Sequence, residues 1–94
     1  MDLKRKITEA CQEIHCDCED CKNNKDCRAE RFMYLQAVRK VMSESGIYKF
    51  NLEIRFQHNA YRAKYVIVID YVPYYGKRGI LKIDAKLKQN DIRL

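Results

Sequence analysis

Residues 28–58 read RAERFMYLQAVRKVMSESGIYKFNLEIRFQH, and the fold turns on a change of rhythm inside them. Tyr34, Leu35, Val38, Val41 and Met42 recur every three or four positions, and Phe32 extends the stripe. Arg28, Glu30, Arg31, Arg39, Lys40 and Glu44 fall largely elsewhere. This is the 3.6-residue period of an amphipathic helix. The helix is expected from about Cys27 to Ser45, with Asp26 as N-cap and Gly46 as the C-terminal stop. After Gly46 the period becomes two. Tyr48, Phe50, Leu52, Ile54 and Phe56 alternate with Lys49, Asn51, Glu53, Arg55 and Gln57, the pattern of a strand with one wet face.

Downstream, His58-Asn59 is a turn candidate, and residues 61–72, YRAKYVIVIDYV, form a second strand. Its centre, Tyr65 to Ile69, is apolar on both faces, which suits the middle of a sheet. Pro73 ends it, and residues 74–79 form a loop with two glycines. Residues 80–88 give a third strand, with Leu81, Ile83, Ala85 and Leu87 on one side. Upstream, Leu3, Ile7, Ala10, Cys11 and Ile14 mark a first short helix over residues 2–14. The expectation is an α+β fold in a single domain, residues 1–94. An N-terminal helix and Cys-rich metal loop (1–27) lead into one main helix (28–46) packed on a basic three-stranded antiparallel meander (47–94).

The loop between the helices, HCDCEDCKNNKD at residues 15–26, carries almost no apolar side chain except its cysteines. All five cysteines of the chain, Cys11, Cys16, Cys18, Cys21 and Cys27, fall within or beside it. A reducing compartment disfavours disulfides, and the odd number does not close a disulfide framework. Metal ligation is the simpler reading. Cys18-x2-Cys21 is the spacing of a metal knuckle, in which two thiolates grip one ion from a tight turn. Cys27 sits where a helix N-terminus stabilises a thiolate. Four of the five cysteines suffice; Cys11 and Cys16 compete for the remaining place, or Cys18 yields to one of them, and His15 is a further option. Zn²⁺ suits four thiolates, with an iron–sulfur cluster as the competitor. A closed four-cysteine site has no open position for catalysis, so its expected role is to fold the loop.

The formal charge of +6 is unevenly spread: residues 1–30 balance at −2 and residues 31–94 at +8. No stretch of about 18 apolar residues predicts a membrane span, and the N-terminus lacks the apolar core of a secretory signal. A cytoplasmic location is expected. The strands carry Lys49, Arg55, Arg62, Lys64, Lys82, Lys86 and Lys88, and the loop before the third strand sets Lys77 and Arg78 beside Tyr71, Tyr74 and Tyr75. Cations neutralise phosphates and tyrosines stack on bases, so the leading expectation is nucleic-acid binding, with RNA or DNA held by the basic sheet face and this loop. A protein partner is the alternative, with the chain acting as an adaptor or a small inhibitor of the kind mobile elements encode. Nothing in the sequence selects an oligomeric state.

One constellation suggests chemistry. Asp70 closes the run VIVID, and Asp84-Ala85-Lys86 follows on the next strand. The pattern resembles the PD-(D/E)xK signature of restriction-endonuclease-like nucleases over residues 70–86, without the leading proline. The resemblance implies Asp70 and Asp84 as Mg²⁺ ligands and Lys86 as the group assisting attack on phosphate. Glu30 or Glu53 is then a possible third acid.

Overall fold

The structure, a computed structural model, describes residues 2–23, 25–58, 62–71 and 79–89, with backbone alone at 62 and 86–89. Three helices precede three strands: α1 (Leu3–Gln12), α2 (Glu19–Lys22), α3 (Arg28–Glu44), β1 (Phe50–His58), β2 (Arg62–Tyr71) and β3 (Gly79–Gln89). The strands form one antiparallel sheet in the order β1-β2-β3, and the α+β meander stands as expected. No described helix is long and apolar enough to cross a membrane.

Asp2 caps α1 by accepting the Arg5 backbone N–H, and the helix buries Ile7 and Cys11 on one face. The core joins these two to Tyr34, Val38 and Met42 of α3 and to Tyr65, Ile67, Ile69 and Ile83 of the sheet. Both helices, not the main helix alone, therefore cover the apolar sheet face. At the end of α3 the Ile47 N–H reaches the Met42 carbonyl at 2.9 Å and the Gly46 N–H reaches Ser43 at 3.0 Å. This paired capping needs the left-handed backbone of Gly46, φ +73°.

Four details depart from the sequence reading. The cysteine loop contains a helical turn, α2. Cys27 rather than Asp26 is the N-cap of α3, its Sγ accepting the Glu30 N–H at 3.4 Å. Phe32 lies about 200° around the helix from Tyr34, since each residue turns about 100°, and it is 58 % exposed instead of extending the core stripe. Tyr48 is 76 % exposed and precedes β1.

The third strand does not alternate without interruption. Val66 pairs with Asp84, but Lys64 pairs with Leu87, so Ala85 and Lys86 together stand opposite Tyr65 as a β-bulge. A slip of one residue reverses the faces. Position 87 therefore leaves the row of Leu81 and Ile83, which pair with Ile69 and Ile67.

Candidate metal centre and interaction surfaces

The α1–α3 connection folds back so that the Sγ atoms of Cys16, Cys18, Cys21 and Cys27 all lie within 4.8 Å of one another. Cys18–Cys27 is 3.2 Å and Cys16–Cys27 is 3.8 Å. A thiolate tetrahedron with bonds of about 2.3 Å has edges of about 3.8 Å, so the donor set fits one tetrahedral ion. Four cysteines so arranged can hold a metal and stabilise a small module. Local chain geometry explains the convergence. α2 brings Cys21 one turn past Cys18, and the N-cap of α3 supplies Cys27.

Burial grades across the cluster: Cys27 is buried, Cys16 and Cys21 are half-buried, and Cys18 is exposed. The backbone N–H of Cys21 and then the Cys27 thiol lower the Cys18 pKa to about 7. Burial, then the Glu30 carboxylate, push Cys21 the other way. Burial also raises Cys27, against the pull of the Glu30 N–H. Glu30 is itself buried; it accepts from the Cys21 thiol at 3.0 Å and from the Tyr34 hydroxyl at 3.3 Å.

Cys11 lies apart, on the core face of α1, where burial lifts its thiol to about 11. Helical spacing from Ile7 turns it toward the sheet and away from the loop. His15 is exposed, with Nε2 at 2.9 Å from Asp17.

A residue that sequence reasoning missed anchors the cluster. Tyr65, in the centre of β2, accepts the Cys27 backbone N–H at 2.6 Å. Its own proton faces Asp26 Oδ1 at 3.2 Å and the Cys27 carbonyl at 3.4 Å. Arg31 completes the clamp: it holds Asp26 through Nε and Nη2 at 3.2 and 2.6 Å, donates to the Ile54 carbonyl, and lies 5.9 Å over the Tyr65 ring. The only signal in the sequence was a tyrosine heading the aliphatic run of residues 66–69.

The expected cationic sheet face is partly neutralised. Arg55 is paired with Glu53 at 2.7 Å, which lowers the Glu53 pKa, and Lys64 is paired with Asp84 at 3.3 Å. Lys82 is exposed and lines a hollow of about 450 Å³ with Lys4, Thr8 and Lys64. Lys49 is exposed before β1. Tyr71 pairs with Phe50 and Gly79 and packs on the core, so it is not part of a stacking surface. Tyr74, Tyr75, Lys77 and Arg78 lie outside the described residues, as do the side chains of Arg62, Lys86 and Lys88.

Asp70 and Asp84 share the outer face but not a site. Asp84 is opposite Val66, four positions along β2 from Asp70. At about 3.3 Å per residue they stand about 13 Å apart, too far to share a metal ion. Among the described residues the four cysteines form the only cluster of metal-ligating groups.

One further surface stands out. Between α3 and β1 runs an apolar trench of about 640 Å³, lined by Arg28, Ala29, Arg31, Phe32, Leu35, Leu52 and Ile54. A hollow of about 500 Å³ continues it past Leu35 and Leu52 toward Arg39, Ile47 and Tyr48. The apolar row of β1 (Phe50, Leu52, Ile54 and Phe56) is only half-buried.

The chain matches no protein-family model, no curated protein and no solved structure.

Proposed function

We propose that this chain is a small zinc-stapled protein-interaction module. Cys16, Cys18, Cys21 and Cys27 would hold one Zn²⁺, and the ion would keep all four thiols deprotonated. Four thiolates close the tetrahedron and leave no place for a substrate, so the ion is structural. Such sites contribute roughly 10 kcal/mol or more, comparable to the stability of a whole small domain. Here that energy fixes the N-terminus of α3 against β2 through Cys27 and Tyr65.

The observation that carries the interaction reading is the trench between α3 and β1. Its wall includes Phe32 at 58 % exposure, and an apolar groove alongside a helix is a recurring seat for a partner segment. The zinc-loaded chain, immobilised and challenged with nuclease-treated host lysate, should retain a partner that Phe32→Ser releases. Retention unchanged by that substitution would remove the trench from the function.

A second reading, nucleic-acid binding, is favoured by the hollow where Lys4, Lys64 and Lys82 meet around a single carboxylate, Asp84. Affinity for short single-stranded RNA or DNA across a salt series separates the two. A steep loss with salt, unaffected by Phe32→Ser, would support this reading over the first.

A further inference from the structure

The trench has a charge pattern as well as an apolar floor. Along the flank of α3 that faces it, Arg28, Phe32, Leu35 and Arg39 follow one another at spacings of four, three and four residues. This is the seam along which helices pack. Its middle is apolar and its ends are cationic. Neither Arg28 nor Arg39 makes an ion pair with a described residue. They stand eleven positions apart, about 16 Å along the helix at 1.5 Å per residue.

Two occupants fit poorly. A second copy of the chain, packed α3 on α3 in either direction, sets arginine against arginine at both ends of the seam. An added strand on the open edge of β1 meets the Arg31 guanidinium already bound to the Ile54 carbonyl, and a cation placed on an edge obstructs further pairing.

We infer that the trench receives an amphipathic helix of a partner protein, with apolar side chains on Phe32, Leu35, Leu52 and Ile54 and carboxylates about three turns apart on Arg28 and Arg39. This rests on the protein-interaction reading and names the class of partner. The charges set the register of the helix, and the apolar floor supplies most of the affinity.

The test uses the zinc-loaded full chain and a labelled synthetic 18-residue amphipathic helix. The peptide has leucines on one face and two glutamates eleven positions apart; sister peptides carry glutamine or lysine there. Fluorescence anisotropy should rank glutamate over glutamine over lysine, with about a ten-fold span from first to last. The double variant Arg28→Glu/Arg39→Glu should reverse that order, and Phe32→Ser should abolish binding of all three. Circular dichroism checks that these surface variants stay folded.

Equal affinity for the three peptides, or an order that the double variant leaves intact, overturns the charge register. Equal binding of a glutamate peptide broken by two prolines overturns the helical form. A wild-type dimer that Phe32→Ser makes monomeric assigns the trench to a second copy, and loss of single-stranded DNA binding on Phe32→Ser assigns it to nucleic acid; either overturns the inference. If no peptide binds but a nuclease-resistant partner is still released by Phe32→Ser, the helix is wrong and the interaction reading survives. If neither is seen, both fall.

Discussion

Tyr65→Phe tests the link between the cysteine cluster and the sheet. The substitution keeps the ring, with its contacts to Tyr34 at 5.3 Å and Phe56 at 5.2 Å, and removes only the hydroxyl. The Cys27 backbone N–H then loses its acceptor in a buried position. Leaving a buried donor unsatisfied costs about 1–3 kcal/mol. The lost contact to Asp26 adds little, because Arg31 still holds that exposed carboxylate. The expected total is about 2 kcal/mol, a large part of the 5–15 kcal/mol that holds a small domain together.

Two assays read this out. In thermal unfolding of the zinc-loaded chain, a loss of about 2 kcal/mol lowers Tm by about 8–16 °C for a domain of this size. Because metal binding is coupled to folding, the same loss appears as roughly 30-fold easier zinc removal in a chelator titration. Tyr48→Phe is the control: Tyr48 is 76 % exposed, so losing its hydroxyl leaves no buried group unsatisfied. If Tyr65→Phe unfolds within 0.5 kcal/mol of the parent, about the size of a neutral surface change, and keeps its zinc as tightly, the clamp carries no energy and the reasoning fails.

Cys11→Ala should keep one zinc per chain by native mass spectrometry, whereas Cys→Ser at 16, 18, 21 or 27 should each lose stoichiometric binding. The Cys11 thiol, lifted from 9.0 to about 11 by burial, ionises more readily in the unfolded chain. Its contribution to stability is complete below pH 9 and lost as pH rises through about 11, so urea midpoints of the parent should fall more steeply over that range than those of Cys11→Ala. Gly46→Ala places a side chain at φ +73° and should cost about 1 kcal/mol in urea unfolding, the left-handed penalty less the entropy gained in the unfolded chain. Arg31→Ala uncovers the Ile54 carbonyl on the sheet edge and should raise the oligomer fraction in light scattering at high concentration; an unchanged monomer would show that Arg31 does not guard the edge.

Local periodicity made much of the architecture legible. The move from a 3.6-residue to a two-residue rhythm at Gly46 depends only on neighbours in the chain, so α3 and β1 could be read from their own residues. The apolar run at 65–69 likewise announced a central strand. What failed involved geometry across elements. The bulge at Ala85 and Lys86 sits in an unbroken alternation, because a one-residue slip leaves no mark on the strand that carries it. Phe32 is the exception: it looked like core because it is apolar and near the stripe, yet about 100° per residue already turns it away from Tyr34 and toward the trench.

The crowding of cysteines beside a Cys-x2-Cys knuckle was enough to raise metal binding, since thiolates at short spacings share an ion whatever surrounds them. Which four converge required the tertiary structure. Cys11 is no farther in sequence from Cys16 than Cys21 is, but its helix turns it into the core. The part played by Tyr65, 38 residues from Cys27, was equally hidden. It depends on how the sheet registers against α3, a relation between distant segments that composition and spacing do not encode.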